Sequence, residues 1–569
     1  MDSTTIQTMD ITSLKAVLGD LRGKILPSRF EKAQQPEPGT IQIGVRTVKG
    51  LKWLEFSWNA DSPRIVQITS PPRIGSESTL AQQIQHGLSR MTLVEINQKG
   101  FERIVEFGLA KRQGDPIERI LIIELMGRHS NLLLLDKQSK VITLGRKVRI
   151  HQSRVRPIGT GDIYASPPCL KGIEPNSEES FKRWKERLCL IPSNLKKALQ
   201  DNYQGISPSL ALQLAGDEVD PAEELLKSSV LKLSQEQWEK LHKRWCIWIK
   251  QIENNNLNIS FDGPTPFRVW STRSTTCPTN EEISLLLGNY YRKNLISRKI
   301  NHLTKELQNK LFKLKDTENE SIKCQKKLLE KISEVTVLKD KADKLLSLPS
   351  PNPEQIHEAQ VLYKRSGKIR RSIPLVKERI NYHNQRLENL LESQVFLEDL
   401  NKNNWEENSH RLEILIELKE EIEEFKVTTS KPKNSHKRST QSKKKTPKPL
   451  ILVSPSGLEI QVGRNHRQNE WISLRKARSG DIWFHVQECP GSHVVLKASN
   501  GLAQDIDIEM AADLAAFFSR AKGNQHVPVV MVSTDHLQRI PGTTPGTVRY
   551  RESTVCWGEP SRGIKHINA

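Results

Sequence analysis

The sequence predicts a multidomain α+β protein, and three observations support this fold class. A chain of 569 residues is longer than one hydrophobic core serves. Its first third alternates polar and apolar residues with the period of β-strands, whereas its middle repeats leucines at coiled-coil spacing. A basic stretch then precedes a segment in which short strands and one helix alternate. The predicted order is a mixed α/β N-terminal domain (1–172), a helix–hairpin–helix domain (173–290), an antiparallel coiled-coil arm (291–428), a flexible basic linker (429–449) and a small α+β C-terminal domain (450–566).

The charge balance predicts an anionic partner. The chain has 87 lysines and arginines against 66 acidic residues, a formal net charge of +21. Such an excess is typical of proteins that bind nucleic acid or an anionic membrane surface. No run approaches the ~18–20 apolar residues that cross a bilayer, and Met1–Asp20 lacks the pattern of a secretory signal. We therefore expect a cytoplasmic protein whose partner is nucleic acid and not a membrane.

The cysteines argue against a metal centre and against a disulfide framework. Seven cysteines are widely scattered and none forms a CxxC pair. Zinc sites and small disulfide-bonded domains need closely spaced or evenly paired cysteines. An odd, dispersed set fits a reducing cytosol. We expect no metal and no cofactor.

The N-terminal domain is predicted to be rich in antiparallel strands. Alternating segments predict strands at Thr40–Val45, Lys52–Trp58, Arg64–Thr69, Leu93–Asn97 and Arg103–Phe107, with a helix at Ser78–Leu88. Two apolar runs then flank a Gly-Arg-His-Ser-Asn turn. This pattern predicts a hairpin that presents Arg128, His129 and Asn131, either as an ordinary surface turn or as an RNA contact.

The next region has apolar residues at helical spacing and a sharp corner at Gly205–Pro208. Glycine permits the unusual backbone conformation of a sharp corner. Ser207 can cap the following helix, and Pro208 suits the first position of that helix. Such corners often direct backbone N–H groups at phosphate. A helical hairpin that serves packing alone is an equal alternative.

Residues 291–428 predict an arm of two long helices. Ile300, Leu303, Leu307, Leu311 and Leu314 form a coiled-coil seam. A proline-rich segment, Leu348–Gln355, breaks the helix, and a second stripe follows. That predicted stripe consists of Val376, Ile380, Leu387 and Leu391.

A cluster of basic residues close to the break predicts contact with RNA phosphate. The cluster lies within YKRSGKIRRS, which contains no acid. A solvated helix face is the alternative, but five basic residues far out on an arm favour contact with RNA phosphate. Its members are Lys364, Arg365, Lys368, Arg370 and Arg371.

The last segment carries a specific motif. Val462–Leu496 contains Gly-Arg-Asn, Asp-Ile-Trp-Phe-His and Pro-Gly-Ser-His elements, and Ile540–Tyr550 forms a Pro-Gly loop. These elements resemble the RNA-binding domain of the NFACT family, the RqcH-like ribosome quality-control factors. Three segments resemble the family's N-terminal domain: the opening MDITSLKAVLGDLRGKI, then GRHSNLLLLD, then RPIGTGDIYASPP. The resemblance covers nearly the whole chain.

The resemblance implies a function and a set of residues. Family members bind large ribosomal subunits obstructed by peptidyl-tRNA, recruit alanyl-tRNA and direct untemplated alanine tailing of the stalled chain. An Asp-Arg pair contacts tRNA in the family, and the matching positions are Glu102 and Arg103, where the acid is one methylene longer. The resemblance implies no catalytic residue, because the ribosome would form the peptide bonds.

The C-terminal motif supplies groups that suit RNA. Basic and amide side chains beside an aromatic ring fit phosphates and unpaired bases. The candidate residues are Arg464, Asn465, Asp481, Trp483, His485, Ser492 and His493. Trp483 could equally belong to the core, since a strand before a turn buries alternate residues. A metal or acid–base site at the histidines is disfavoured, because a third ligand at useful spacing is missing.

The sequence also has rival functional interpretations. A helix–hairpin–helix after such an N-terminal domain resembles the layout of formamidopyrimidine-DNA glycosylases, which use an N-terminal proline amine as nucleophile. Met1 precedes Asp2 and Met9 precedes Asp10, so that chemistry is not available. A fibronectin-binding surface adhesin is a second rival. A ribosome- or RNA-binding family member without tailing activity is a third.

Overall fold

The computed structural model places the chain in two compact units, Met1–Leu295 and Ile296–Ala569. It describes residues 6–73, 78–153, 156–272, 282–330, 333–347, 352–402, 408–427, 447–540 and 546–568. Most of the predicted linker 429–449 therefore lies outside the described residues, as do 348–351 of the proline-rich break and 541–545 of the Pro-Gly loop.

The first unit contains a nine-stranded antiparallel sheet in the order β4-β3-β2-β1-β5-β6-β7-β8-β9. Two meanders meet at its centre, where Ser28 of β1 pairs with Leu93 of β5. All the strands and the helix predicted from alternation in this region are present. The strands are β1 (Ser28–Glu37), β2 (Thr40–Thr47), β3 (Gly50–Ser57), β4 (Arg64–Ile68), β5 (Thr92–Gln98), β6 (Ile104–Ala110), β7 (Arg119–Glu124), β8 (Asn131–Asp136) and β9 (Val141–Leu144).

Helices complete this unit and share one core with the sheet. The apolar cluster runs from Leu14 through strand residues such as Phe107 to the tryptophans Trp184, Trp245 and Trp248. The two regions that the sequence predicts as separate domains therefore pack on common hydrophobic residues. The helices are α1 (Ile11–Ile25), α2 (Thr79–Gly87), α3 (Phe181–Cys189), α4 (Leu195–Asn202), α5 (Pro208–Ala215), α6 (Val219–Lys227) and α7 (Gln235–Glu253).

The predicted corner between α4 and α5 is confirmed in its local chemistry. Ser207 caps α5, since its Oγ accepts the N–H of Leu210 at 2.9 Å, and Pro208 occupies the first turn. Gly205 has φ +77°, a left-handed conformation that residues with a Cβ rarely adopt. A Cβ there would lie 2.7 Å from Ile11 and 3.0 Å from Phe101. The glycine is required both by the backbone and by close packing.

The second unit begins with the arm. Its helices are α8 (Ile283–Glu330), of which residues 296–330 belong to this unit, α9 (Ser333–Leu346), α10 (Pro353–Lys402) and α11 (Asn408–Val427). The predicted seam of α8 is confirmed from Ile300 to Leu311 and is partly buried at Leu314. The 50 residues of α10 extend about 75 Å at ~1.5 Å per residue.

The second predicted stripe is corrected by the structure. Val376 is buried, but Ile380, Leu387 and Leu391 are only half-buried. A third helix, α11, packs against α10 at the base of the arm, so a different side of α10 is buried there. The α10 residues that enter the core are Leu390, Phe396, Leu397 and Leu400, beside Ile414, Leu415, Leu418 and Ile422 of α11.

A six-stranded antiparallel sheet in the order β10-β11-β13-β12-β14-β17 forms the C-terminal domain. α13 packs on one face through Phe484, Val494 and Val529. A π-helical turn at Trp471–Arg475 and the β15–β16 ribbon cover part of the other face. The elements are β10 (Leu450–Val453), β11 (Glu459–Val462), α12 (His466–Glu470), β12 (Ile482–Val486), β13 (Val494–Leu496), α13 (Asp505–Phe517), β14 (Val527–Ser533), β15 (Leu537–Arg539), β16 (Val548–Tyr550), β17 (Thr554–Gly558) and α14 (Pro560–Asn568).

Candidate RNA-binding surfaces

The turn between β5 and β6 presents the first candidate pair, Glu102 and Arg103. Gln98 fastens this turn, because its side-chain amide donates to the carbonyl oxygens of Lys99, Gly100 and Glu102 at 2.9, 3.0 and 2.7 Å. One carboxylate oxygen of Glu102 accepts the N–H of Leu170 at 3.0 Å. Its other oxygen is buried and has no hydrogen-bond partner among the described residues.

Arg103 is half-buried beside two carboxylates. Burial lowers the pKa of its guanidinium, and the charges of Asp10 and Glu102 oppose that effect. Within the described part of the chain the guanidinium forms no hydrogen bond or ion pair. Its five N–H donors are thus available to an external acceptor, which suits a phosphate or a base edge.

Asp10 joins this pair to the helical corner, a role that sequence reasoning missed. It caps α1 by accepting the N–H of Ser13 at 2.9 Å, and its second oxygen accepts the hydroxyl of Ser207 at 2.9 Å. The Asp-x-x-Ser pattern could have identified the helix cap. The bond to Ser207 spans 197 residues and has no local signal.

The hairpin turn predicted between β7 and β8 is confirmed as a 3-10 turn, Gly127–His129. Arg128 and His129 are exposed. Asn131 is buried, where its side chain bonds both the N–H and the carbonyl of Arg146 at 2.8 Å. Asn131 therefore positions the loop after β9. The exposed charged side chains at the start of that loop include Arg146, Lys147 and Arg149, which sequence reasoning missed.

The sheet brings these two candidate groups to the same end. Leu125 donates its N–H to the carbonyl of Arg103 at 2.9 Å, and Glu124 pairs with Asn131 across the hairpin. The β5–β6 turn and the β7–β8 turn are consequently neighbours. Their contact with tRNA remains a prediction.

The candidate residues of the C-terminal motif lie mostly inside the domain. Arg464, Asn465, Asp481, Trp483, Ser492 and His493 are buried, and His485 is half-buried. Burial lowers the pKa of the Arg464 guanidinium to about 10. Asn465 caps α12 by accepting the N–H of Gln468 at 2.7 Å, so its amide already has a structural partner. Direct contact of these side chains with RNA remains a prediction.

Three rings form a cluster at the centre of this motif. Trp483 stacks on His485 with centroids 5.6 Å apart and meets His493 edge-on at 5.0 Å. The Nδ1 of His493 lies 2.8 Å from the hydroxyl of Ser473. Burial lowers the pKa of His485 to about 4 and that of His493 well below its usual value, so both rings are neutral at physiological pH. Neutral rings are suited to packing and not to binding phosphate.

α12 contacts the base of the arm through carboxylates. His466 donates its backbone N–H to Glu421 at 2.8 Å, and its ring lies 3.3 Å from Glu392. Burial raises the pKa of Glu392 to about 7. Lys522 forms a 2.8 Å ion pair with Asp399 of α10. These bonds attach the C-terminal domain to α10 and α11.

The basic cluster of the arm is exposed along α10. Lys364, Arg365, Lys368, Arg370 and Arg371 lie on this helix, and its solvent-facing side carries their charges. Arg371 donates to the carbonyl of Gly367 at 3.2 Å, and none of the five forms an ion pair with another described residue. Their charges are therefore available to an anionic partner.

Comparison with known proteins identifies the family. A sequence model of the NFACT N-terminal and middle domains matches residues 10–350. The chain belongs to the NFACT family. A second model, the NFACT protein RNA binding domain, matches residues 448–552. The C-terminal domain with its ring cluster is thus the NFACT RNA-binding domain, as the motif predicted.

Relatives within the NFACT family extend along nearly the whole chain. The Rqc2 homolog RqcH of Streptococcus suis is 26% identical over 565 residues, covering 95% of each chain. The Rqc2 homolog RqcH of Bacillus subtilis is 27% identical over 562 residues, covering 93% of this chain and 94% of that protein. The solved C-terminal part of the fibronectin/fibrinogen-binding protein from Streptococcus suis is 24% identical, covers 48% of this chain and 98% of that one, and has a TM-score of 0.37.

The helices of this NFACT protein do not meet the requirements of a membrane span. Among the described residues, every helix is too short or too polar to cross a bilayer.

Proposed function

We propose that this NFACT protein is a ribosome quality-control factor that binds obstructed large ribosomal subunits and tRNA in the cytoplasm. The observation that carries the proposal is its similarity to two RqcH proteins over at least 93% of the chain, with both NFACT domains present. The guanidinium of Arg103 and the exposed basic residues of α10 supply cationic groups in both units. Phosphate neutralisation by such groups dominates affinity for RNA.

The finer proposal is that alanyl-tRNA is recruited for untemplated C-terminal alanine tailing. Arg103 would contact the tRNA, and the carboxylate of Glu102 would orient it by charge. One oxygen of Glu102, which is one methylene longer than the family's aspartate, accepts the N–H of Leu170, and the charge of Glu102 acts on the guanidinium of Arg103. We also propose that the protein is not an enzyme, since the peptidyl-transferase centre of the ribosome would form each bond.

The test combines sedimentation with mass spectrometry. Tagged protein expressed in its own host should co-sediment with large subunits carrying peptidyl-tRNA, and the RNA recovered with it should be enriched in alanine tRNA. Stalled nascent chains from the same cells should carry C-terminal alanine extensions. Deletion of the gene should remove the extensions.

Separate outcomes address the two levels of the proposal. Subunit binding without alanine extensions would retain the ribosome function and eliminate tailing. Absence from ribosomal fractions at physiological salt, with most of the protein at the surface of unlysed cells, would overturn the proposal and favour an adhesin.

A further inference from the structure

One edge of the C-terminal sheet exposes apolar and aromatic side chains. β17 is the terminal strand of that sheet, and Trp557 and Val555 on it are 63% and 51% exposed. Val555 pairs with Val530, and Val530 pairs with His485. Directly paired residues project to the same face. Trp557 and Val555 therefore continue the face that carries the ring cluster, opposite to α13.

A second aromatic ring is adjacent to the same face. Tyr550 of β16 is 41% exposed, and its ring centroid lies 5.9 Å from that of the buried Trp483. Only the three residues 551–553 separate β16 from β17. The ring of Trp483 thus lies against one side of Tyr550, while part of the tyrosine remains accessible. We call Tyr550, Val555 and Trp557 the β17 patch.

Positive charge borders the β17 patch. Residues 537–553 contain Arg539, Arg549 and Arg551 against a single acid, Glu552. Arg539 shares Glu470 with Arg475, at 3.5 and 3.8 Å, so two cations face one carboxylate. Arg549 and Arg551 are exposed and form no ion pair with another described residue. The exposed carboxylate of Glu552 lies 3.6 Å from His536.

Aromatic faces bordered by arginines match the chemistry of unpaired nucleotides. Bases stack on aromatic rings, while guanidinium groups neutralise the flanking phosphates. A duplex would offer phosphates but would keep its base faces stacked on each other. A protein strand could instead add to the free edge of β17, but that partner would not require the surrounding arginines.

We propose that the β17 patch binds single-stranded RNA by base stacking on Trp557 and Tyr550. This inference rests on the proposed RNA-binding function and assigns it to exposed residues outside the buried motif. The arginines at 539, 549 and 551 position the backbone of the strand.

The test measures binding of the full-length protein to short labelled RNA by fluorescence anisotropy. The probes are a single-stranded 12-mer, a duplex of the same length and an abasic oligonucleotide of the same charge. Wild-type protein should bind the single strand at least about fivefold more tightly than the abasic probe, as one stacked base provides. Trp557→Ala should reduce this preference, Trp557→Ala combined with Tyr550→Ala should abolish it, and Trp557→Phe should retain most of it.

Leu502→Ala is the matched control. Leu502 is 94% exposed in the loop before α13, so its removal takes away apolar surface elsewhere in the same domain. This variant should bind all three probes like wild type. Substitution of Trp557 removes an exposed side chain, so the domain should remain folded, which thermal unfolding can verify.

The outcomes distinguish this inference from the function on which it rests. Equal binding of the three probes by wild type, or unchanged preference in Trp557→Ala, would overturn the β17 patch while ribosome co-sedimentation continued. A dimer that dissociates in Trp557→Ala without any change in RNA binding would also overturn it and identify a protein interface. Failure of the wild-type protein to co-sediment with large ribosomal subunits would instead refute the proposed function.

Discussion

Lys497 and Asp481 form a buried ion pair in the NFACT RNA-binding domain, with 2.7 Å between the ammonium nitrogen and the carboxylate. Ser499 and the backbone N–H of Arg478 donate to the same carboxylate. Burial alone would raise the pKa of Asp481, but these hydrogen bonds outweigh it, and the pKa lies below its usual value. The aspartate of the motif is therefore a structural anchor for β12.

Lys497→Met should destabilise the C-terminal domain by about 3–5 kcal/mol, because it leaves a buried carboxylate without its cation. Hydrogen exchange in peptides that span β12 would report the destabilisation. Asp481→Asn combined with Lys497→Met should recover part of the stability, since both charges are then absent. Lys476→Ala, at an exposed neighbour, should change little. Equal effects of the two lysine substitutions would contradict this account.

Gly205→Ala should destabilise the first unit by about 2 kcal/mol or more, because left-handed strain and the close approach to Ile11 and Phe101 add. Chemical denaturation of the purified variants would measure the change. Gly23→Ala is the opposing control. Gly23 lies in α1 with open space around its Cα, so alanine should stabilise the helix by up to ~1 kcal/mol. An unchanged free energy of unfolding in Gly205→Ala would refute the packing argument.

Acid should destabilise the C-terminal domain through the lowered pKa of His485. In the unfolded chain histidine titrates near ~6.5, whereas the pKa of His485 in the fold is about 4. The unfolded state then binds more protons between these values, so this contribution to stability falls as the pH falls from ~6.5 towards 4. His485→Phe keeps a ring against Trp483 and should flatten the pH dependence of the midpoint of thermal unfolding.

Comparison between variants isolates that effect. Glu392 acts oppositely, because its raised pKa of about 7 makes its contribution to stability fall as the pH rises from ~4.3 to 7. Glu392 is present in both proteins and cancels in the difference. His526→Phe, at an exposed histidine, should leave the pH profile unchanged. An identical profile for His485→Phe and wild type would show that His485 is not the titrating group.

Arg103→Ala should weaken association with tRNA while association with the large subunit remains nearly intact. The side chain offers donors that the fold does not use, and the protein has other cationic surfaces for RNA. Filter binding with tRNA and sedimentation with subunits would separate the two affinities. Arg112→Ala removes an exposed arginine from the turn before β7 and should leave both affinities unchanged. A fall in both affinities in Arg103→Ala would mean that the roles of the domains are wrongly assigned.

Replacing the five basic residues of the α10 cluster with alanine should weaken binding to the large subunit and reduce the salt dependence of that binding. Each phosphate that is no longer neutralised makes the slope of log K against log salt shallower by about 0.7–0.9. The matched control replaces five exposed lysines of α8, which also lie on the arm: Lys305, Lys313, Lys323, Lys326 and Lys327. A flat salt response in wild type, or equal slopes in both variants, would contradict phosphate binding by the cluster.

Features with local causes could be predicted from the amino-acid sequence alone. Alternation predicted the strands, because successive side chains in a strand face opposite sides. The seam of α8 and the corner from Gly205 to Pro208 followed from helical spacing and from the capping chemistry of serine and proline. The C-terminal motif predicted the family correctly, since its elements are short and contiguous.

Which of these groups remain accessible depends on the packing of the folded chain. Arg464, Asp481 and Trp483 have the composition of an RNA site, yet packing by residues distant in sequence buries all three. Contacts between segments distant in sequence also decide which side of α10 packs on α11 and bring the hydroxyl of Ser207 to the carboxylate of Asp10. Burial depends on what packs against a side chain. Residues that approach from a distant part of the chain leave no periodic signal beside it.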